Sequence, residues 1–386
     1  MIYLDANATT ALLPEVLDAM LPWLRDEFAN PSGSYGAAKR ARRAIEQARE
    51  EVAELLGAVP EEIIFTGGGT ESVNTALRSL DKHAGHGAAL VSAIEHSAVL
   101  RCVENLARES RTVPVDTGGR MDLAAFASML DGTAFVSVMA ANNETGVIQP
   151  LREAVELAHH RGLPVHSDAI QGAGKIPLSV VALGVDLLSV TAHKFHGPKG
   201  VGALFVRRGL KFEPLLRGGG QEAGRRGGTE NVAGVVGMGA AARAARSHLA
   251  QSAAGHLECA RDVFEAKVLA DITGVIVNGD LAHRLPNTSH LSIDQCDAAG
   301  LLILLDEAGV ACSAGSACLS GTQRPSHVQQ AMGIAPERAR TSVRVSFSVL
   351  NTVAEAMAAA EIVKRAVEKL RRVQGAGVGP VAVYGP

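Results

Sequence analysis

The hydrophobic and polar positions of this chain alternate between short apolar runs and longer amphipathic segments from about residue 63 to residue 206. Short apolar runs rich in Val, Leu and Ile are typical of buried strands. The runs lie at 63–66, 88–92, 135–139, 163–166, 186–190 and 201–206. Segments with helical spacing separate several of them, one beginning near residue 71 and others at 98–108 and 151–161. Repeated strand–helix units predict a mostly parallel sheet with helices on both faces.

The two ends of the chain have a different pattern. Two predicted helices, 14–28 and 37–56, precede the first strand. Beyond about residue 250, helices are predicted at 256–270, 298–308 and 353–372, and strands at 274–277, 289–293 and 343–348. We therefore predict an α/β protein with a large domain at 14–250, a smaller α+β domain formed by 1–13 and 251–374, and a disordered tail at 375–386.

Composition narrows the classes of function. Of the 386 residues, 47% are hydrophobic and 20% charged, which permits a large core, and the net charge of −3 gives no electrostatic case for binding nucleic acid or an anionic membrane. No apolar run approaches the length that crosses a bilayer, and the first residues lack the features of a signal peptide, so we expect a cytoplasmic protein. The five cysteines are scattered without CxxC spacing, which argues against a zinc site or a disulfide framework.

One predicted strand ends in a lysine. The segment Asp186-Leu-Leu-Ser-Val-Thr-Ala-His-Lys194 runs from an apolar strand into a basic residue, and Gly197-Pro198 then interrupts the chain. A lysine at the end of a buried strand is costly unless it is paired or chemically used. Its amine can form a Schiff base with an aldehyde cofactor, and burial lowers its pKa toward reactivity. The structural alternative is a lysine that simply reaches the surface.

Polar residues follow the other predicted strands, at the edge where ligands bind in open α/β sheets. Gly67-Gly-Gly-Thr70 enters a helix and suits a phosphate group, because backbone N–H groups and a hydroxyl lie at a helix N-terminus. The other residues at these strand ends are His96, Asn143, Asp168, Gln171, Thr191 and His193. Structural alternatives stay open: a tight turn for the glycines and Asn143, and a helix cap for His96 and Asp168.

Together these strand ends supply the groups that pyridoxal phosphate needs. This cofactor takes a lysine for its aldehyde, an acid for its ring nitrogen, a flat partner for its ring and donors for its phosphate. A Rossmann dinucleotide site is the competing interpretation. It requires GxGxxG after the first strand with an acid about 20 residues further on, and Gly67-Gly-Gly-Thr-Glu71 is a different loop.

Two further candidates lie in the predicted small domain. Cys312-Ser-Ala-Gly-Ser-Ala-Cys318 has almost no bulky side chain, so we expect Cys318 on a flexible, accessible loop that permits thiolate chemistry, and Cys312 packed at a strand end. In the alternating segment 341–348, Val343, Val345 and Phe347 face one way and Arg344 the other. Arginine is the natural partner of an amino-acid carboxylate, and an outward-facing surface arginine is the alternative.

These residues and motifs resemble those of the pyridoxal-phosphate-dependent cysteine desulfurases, within the class-V aminotransferases. The resemblance runs in order from residue 3 to about residue 370. It is carried by Tyr3-Leu-Asp-Ala-Asn-Ala-Thr-Thr10, Phe65-Thr-Gly-Gly-Gly-Thr-Glu71, Glu95-His96, Asn142-Asn-Glu-Thr-Gly146, His166-Ser-Asp-Ala-Ile-Gln171, Ala192-His-Lys194, Arg226-Gly-Gly-Thr-Glu-Asn231 and Gly315-Ser-Ala-Cys318. The strings Asn-Asn-Glu-Thr-Gly and Gly-Arg-Arg-Gly-Gly-Thr-Glu-Asn are most similar to the NifS-like nitrogen-fixation branch.

The resemblance implies a homodimer of fold type I, with a mostly parallel seven-stranded sheet in the large domain and a smaller α+β domain. It also implies how pyridoxal phosphate is bound. The implied residues are Lys194 through a covalent bond, Asp168 at the ring nitrogen, Gln171 at the ring hydroxyl, His96 on the ring face, Asn143 beside it, and Gly69, Thr70, Thr191, His193 and, from the other subunit, Thr229 at the phosphate.

The resemblance further implies the reaction. L-Cysteine would become L-alanine, with Lys194 as the base, Asn143 and Arg344 on the substrate, His96 as a candidate proton acceptor and Cys318 as the nucleophile that takes sulfur as a persulfide. The persulfide would supply an iron–sulfur scaffold protein, for nitrogenase or for general cluster assembly, and Cys318 could thereby ligate a metal cluster shared with that scaffold. A selenocysteine lyase or another aminotransferase-like enzyme is the alternative. The presence of both Lys194 and Cys318 argues against a non-catalytic scaffold.

Overall fold

The computed structural model describes residues 1–251, 253–314 and 326–375. Residues 315–325, which include Cys318, and residues 376–386 of the predicted tail lie outside the described residues. The described strands are β1 (Ile2–Tyr3), β2 (Ile63–Thr66), β3 (Ala88–Ser92), β4 (Ser110–Val113), β5 (Thr133–Ser137), β6 (Val165–Asp168), β7 (Leu187–Thr191), β8 (Gly202–Val206), β9 (Val275–Val277), β10 (Thr288–Ile293), β11 (Val310–Ala311), β12 (Ser313–Ala314) and β13 (Ser342–Ser346). The described helices are α1 (Pro14–Arg25), α2 (Gly36–Leu56), α3 (Gly69–His83), α4 (Ser97–Glu104), α5 (Leu123–Met129), α6 (Leu151–His159), α7 (Val180–Leu183), α8 (Val232–Ala250), α9 (Ala253–Asp271), α10 (Ala298–Glu307), α11 (His327–Ala331), α12 (Pro336–Ala339) and α13 (Val353–Gly375).

The larger sheet has seven strands in the order β2-β8-β7-β6-β5-β3-β4. Neighbouring strands are parallel except for β8, which runs antiparallel to both β2 and β7. Every residue of β2, β3, β5, β6, β7 and β8 is buried, as expected for strands with a continuous apolar run that are covered on both faces. The predicted mostly parallel seven-stranded sheet is confirmed.

Polar residues explain where the predicted elements of this sheet were incomplete. The edge strand β4, Ser-Arg-Thr-Val, was missed because it is largely exposed and has no apolar run. Strand β5 begins two residues before the predicted 135–139, at Thr133, whose hydroxyl donates to the carbonyl of Met129 at 2.9 Å. Strand β6 extends two residues beyond the predicted 163–166, to the buried Asp168. Both strands thus have the predicted number of residues but are displaced by two positions, β5 toward the N-terminus and β6 toward the C-terminus, because buried polar residues belong to them.

Helix α8 packs unusually closely against the N-terminal helices. It was not predicted, because most of its residues are small and apolar on every side, so no amphipathic period marks it. A Cβ at Gly239 would lie 2.6 Å from the Cα of Ala48 in α2, and a Cβ at Gly237 would lie 2.6 Å from the sulfur of Met20 in α1. These two glycines allow the helix backbones to approach each other directly.

The second sheet is antiparallel, in the order β12-β13-β10-β9, and packs against α9, α10 and α13. The N-terminal segment joins this part of the molecule, because β1 pairs with β11 in parallel and Asp5 bridges to Ser346. This pairing supports the predicted grouping of 1–13 with the C-terminal region; the domain limits 14–250, 1–13 and 251–374 stay a prediction. Among the helices of the described ranges, none combines the length and apolar character needed to cross a membrane.

Candidate active site

A cavity of about 400 Å³ opens at the carboxyl ends of the strands of the large sheet, beside β13 of the second sheet. It is lined by ten of the residues singled out in the sequence: Gly69, Thr70, His96, Asn143, Asp168, Gln171, Thr191, His193, Lys194 and Arg344. They come together because the parallel strands β3, β5, β6 and β7 end at one edge. Arg344 reaches the same cavity from the antiparallel sheet.

One end of the cavity is formed by the N-terminus of α3. Gly68 adopts a φ of 144°, which favours glycine, and no side chain caps the first turn of the helix. A Cβ at Gly69 would lie 2.3 Å from Ile170, so the backbone is held close to the turn after β6. With Thr70 and His193 beside it, this end of the cavity suits a phosphate group.

Lys194 lies in a short 3₁₀ turn, Ala192–Lys194, directly after β7. Its Nζ donates to the main-chain carbonyls of Asn7 and Ala8, at 2.6 and 2.7 Å. Burial, together with the positive charge of Arg344, lowers the pKa of this amine to about 8, against the opposing pull of Asp168 and Asp5. A neutral, nucleophilic fraction of the amine is therefore present near neutral pH.

Asp168 is a buried carboxylate at the end of β6. Its Oδ1 accepts from the main-chain N–H of Ile170 at 2.9 Å, and Oδ2 has no hydrogen-bond partner among the described residues. Burial raises the pKa of the carboxyl group to about 6, although the Ile170 hydrogen bond and Lys194 lower it. No helix begins at Asp168 in the described chain, so the helix-cap alternative is wrong: one carboxylate oxygen closes the turn after β6, and Asp168 lines the cavity.

His96 likewise combines both interpretations. Its Nδ1 accepts from the N–H of Ala98 at 3.1 Å and caps α4, while the ring lines the cavity. Burial lowers the pKa of His96, and the charges of Lys194 and His327 lower it further. Because Nδ1 accepts a hydrogen bond in this arrangement, the neutral ring carries its proton on Nε2.

Arg344 is held at the cavity by two partners. One NH group donates to the main-chain carbonyl of Asn143 at 2.9 Å, and the other donates to Asp5 at 2.7 Å. Val343, Val345 and Phe347 lie in the hydrophobic core of the second sheet, so the predicted alternation along β13 is confirmed and Arg344 is not a surface residue. Asn142, not Asn143, forms the predicted turn, because its Oδ1 accepts from the N–H groups of Glu144 and Thr145.

Three site residues had no role in the sequence interpretation. Asn7 lines the cavity and supplies the carbonyl that meets Lys194, Asp5 pairs with Arg344, and the buried Lys175 contacts Gln171. Asp5 and Asn7 lie in the quoted Tyr3–Thr10 string, which was the available signal. Lys175 follows Gln171 by four residues, a spacing that the strand-end argument did not use.

Two of the sequence-predicted residues are not brought to this cavity by the described chain. Thr229 is exposed and does not line the cavity of its own subunit. Its loop is tied to the start of α3, because Arg226 pairs with Glu71 at 2.9 Å. Cys318 lies outside the described residues. Elsewhere in the described ranges, no cluster of three or more His, Cys, Asp or Glu side chains could hold a metal ion.

Comparison with known proteins defines the family. The model of the aminotransferase class-V family matches residues 2–358, and the chain belongs to that family. A cysteine desulfurase of Cereibacter sphaeroides is 43% identical over 387 residues, which cover 98% of this chain and 99% of that protein. The cysteine desulfurase NifS of Azotobacter vinelandii is 42% identical over 388 residues, covering 98% and 96%.

The fold comparison agrees with the sequence comparison. A solved structure of a NifS-like protein matches with a TM-score of 0.89 and 35% identity, covering 95% of this chain and 99% of that one. The expected resemblance to the cysteine desulfurases, including NifS, and the expected fold type I are thereby confirmed.

Proposed function

We propose that this protein is a pyridoxal-phosphate-dependent cysteine desulfurase that converts L-cysteine to L-alanine and takes the sulfur onto Cys318. The observation that carries the proposal is one cavity that contains a lysine of lowered pKa, a buried carboxylate, an imidazole and an arginine, in a chain whose relatives are named cysteine desulfurases. Groups with shifted pKa values cluster at the active sites of enzymes, where the chemistry requires them.

The residues of the cavity fit the cofactor. Lys194 would bind its aldehyde, Asp168 would pair with its ring nitrogen through the free Oδ2, and the start of α3 would hold its phosphate. The bare helix N-terminus and the unpartnered carboxylate oxygen are features that a packing role alone does not require. When bound, pyridoxal phosphate withdraws electrons from the α-carbon of an amino acid, which makes its proton removable.

The chain's own groups then bind the substrate and move its proton. Arg344 would hold the substrate carboxylate, and Asn143 would lie beside it. The Lys194 amine, with a pKa of about 8, is suited to accept the α-proton and return it near neutral pH. The Cys318 thiolate would attack the substrate sulfur, and the bond between that sulfur and Cβ would break with its electron pair left on the carbon side. Protonation at Cβ and return of the α-proton would give L-alanine, and the sulfur would stay on Cys318 as a persulfide.

Elimination among the cysteines supports Cys318 as the nucleophile. Burial raises the pKa of the thiols of Cys102 and Cys296, and raises that of Cys312 to about 12. Cys259 is exposed on α9, and no cysteine of the described residues lines the cavity. The elimination of the other four cysteines supports the proposal that Cys318 supplies the reactive thiolate.

The remaining parts of the proposal concern partners. We infer a homodimer in which Thr229 of one subunit completes the phosphate site of the other. Thr229 is exposed, does not line the cavity of its own subunit, and lies in the loop that the Arg226–Glu71 pair ties to the start of α3. The acceptor of the sulfur would be an iron–sulfur scaffold protein, and similarity to NifS favours a role in nitrogenase maturation.

A product assay tests the proposed reaction. Purified protein loaded with pyridoxal phosphate should convert L-cysteine to equimolar L-alanine and sulfide when a thiol reductant releases the persulfide sulfur. Keto-acid products would indicate an aminotransferase instead, and turnover of selenocysteine without turnover of cysteine would indicate a selenocysteine lyase. Absence of any turnover in the loaded protein would contradict the proposal.

Replacement of Arg344 tests the substrate-binding role. We expect Arg344→Met to raise KM for L-cysteine about 10- to 100-fold, because a charge-assisted hydrogen bond contributes ~1.5–3 kcal/mol. Cysteamine, which lacks the carboxylate, serves as the control substrate, and its KM should be equal in the wild type and the variant; its rate is not the readout, because the charge of Arg344 also lowers the pKa of Lys194. An unchanged KM for cysteine in a folded variant would show that Arg344 does not bind the carboxylate.

A further inference from the structure

Lys175 is a buried lysine that the reaction proposed above does not use. It lies on the turn after β6 and is 5% exposed. Burial, together with the positive charges of Lys194 and Arg344, lowers the pKa of its amine well below the usual value. No carboxylate of the described residues pairs with it, although burying an amine without a counter-charge is costly. A lysine retained at such a cost calls for a specific role.

The amine of Lys175 contacts two side-chain amides. Its Nζ donates to Oε1 of Gln171 at 2.7 Å and to Oδ1 of Asn7 at 3.0 Å. Gln171 and Lys175 face the same side because the turn is helical, with Ala173 and Ile176 donating to the carbonyls four residues before them. Two N–H groups suffice for both contacts, so a neutral and a protonated amine can make them equally.

These contacts determine the orientation of the Gln171 amide. Its Nε2 lies 2.9 Å from the main-chain carbonyl of Asn7, and a carbonyl can only accept, so this atom is the nitrogen. The amide oxygen therefore points at Lys175, which can only donate through its N–H groups. The second N–H of Nε2 has no partner among the described residues, and Gln171 lines the cavity.

Asn7 is fixed by the same lysine. Its Oδ1 accepts from Lys175 and from Nδ2 of Asn287, and its Nδ2 donates to Thr288 at 2.9 Å. Its main-chain carbonyl accepts from both Gln171 and Lys194. Lys175 thus stabilises the one carbonyl that the Gln171 amide and the Lys194 amine share.

We propose that Lys175 is a positioning residue that holds Gln171 so that an amide N–H, rather than its carbonyl, faces the hydroxyl oxygen of pyridoxal phosphate. This inference rests on the proposed function. A donor at that oxygen stabilises negative charge on it, whereas a reversed amide would oppose an oxygen lone pair to the charge. Lys175 acts through Gln171 and does not itself touch the cofactor.

Two measurements on Lys175→Met test the inference without relying on turnover. The first is the dissociation constant of pyridoxal phosphate, titrated into the apoprotein. The second is the pH midpoint of the visible absorbance of the loaded protein. We expect the dissociation constant to rise about tenfold, because a hydrogen bond to the cofactor is lost. The midpoint should rise by about one pH unit, because the amide N–H stabilises the deprotonated form of the chromophore and this stabilisation is absent in the variant. Lys369→Met, at an exposed lysine of α13 that does not line the cavity, should leave both values unchanged.

A double-variant cycle separates positioning from general destabilisation. If Lys175 acts through Gln171, then adding Lys175→Met to the Gln171→Leu variant should have little further effect. The dissociation constant should change less than twofold, and the midpoint should move by no more than about 0.3 pH unit. Additive effects in the double variant would overturn the inference. If Lys175→Met does not fold, as judged by thermal unfolding, Lys175→Gln replaces it, because its shorter side chain still has a hydrogen-bond donor.

The outcomes distinguish this inference from the proposed function. A wild-type protein that gains no visible absorbance with pyridoxal phosphate would refute the proposed function itself. A wild-type protein that binds it, together with a folded Lys175→Met variant of unchanged dissociation constant and midpoint, would refute only the role of Lys175.

Discussion

Lys194→Ala should abolish the visible absorbance of the protein loaded with pyridoxal phosphate and reduce turnover of L-cysteine by about 10³-fold or more. The variant loses both the amine that binds the aldehyde and the group proposed to move the α-proton, and general acid–base catalysis alone is worth roughly 10²- to 10⁴-fold. The structure supports this large effect, because the amine is partly buried, has a pKa lowered to about 8 and is aimed by the carbonyls of Asn7 and Ala8.

The controls for this variant follow from its surroundings. Lys369→Ala, at an exposed lysine of α13 that does not line the cavity, should keep the absorbance and the rate. A small primary amine added to Lys194→Ala should restore part of the rate, since it can replace the missing proton carrier. An unchanged visible spectrum in Lys194→Ala would refute the lysine assignment.

Cys318→Ala should lose release of sulfide from L-cysteine by about 10³-fold or more while it still binds pyridoxal phosphate with the wild-type spectrum. The substituted side chain removes the sulfur acceptor but leaves the cofactor-binding residues at the strand ends unchanged. The thiolate is the nucleophilic form of cysteine, and alanine offers no group that could attack the substrate sulfur in its place.

A matched control is available for the nucleophile. Cys259→Ala removes the exposed cysteine of α9, which does not line the cavity, and should leave sulfide release unchanged. Mass spectrometry after a single turnover should find one extra sulfur atom on the peptide with Cys318. Sulfide release by Cys318→Ala at the wild-type rate would place the nucleophile elsewhere.

Much of the fold and site could be predicted because both follow from local patterns. Continuous apolar runs marked the strands, since strands covered on both faces bury every residue. Parallel strands end at one edge, so residues that follow separate strands could be grouped before their positions were known. His96, Asn143, Asp168 and Lys194, which follow four of these strands, line one cavity.

The same patterns could not predict elements whose packing depends on partners. Helix α8 consists mostly of small, buried residues because it packs against α1 and α2, and Gly239 allows its close approach to Ala48. The edge strand β4 is polar because one side of it meets water. In both cases the environment, which the local sequence does not contain, decides the composition.

By itself, the sequence determined the strand-end chemistry: the lysine, the carboxylate, the imidazole and the glycine-rich helix start are properties of short segments. Only the tertiary structure decided how these groups are held. Asn7 contacts Lys194, Gln171 and Thr288, residues more than 160 positions away, and Asp5 meets Arg344 from the opposite end of the chain. Buried hydrogen bonds between distant residues leave no periodic signal, because each depends on geometry that exists only after the two sheets have packed together.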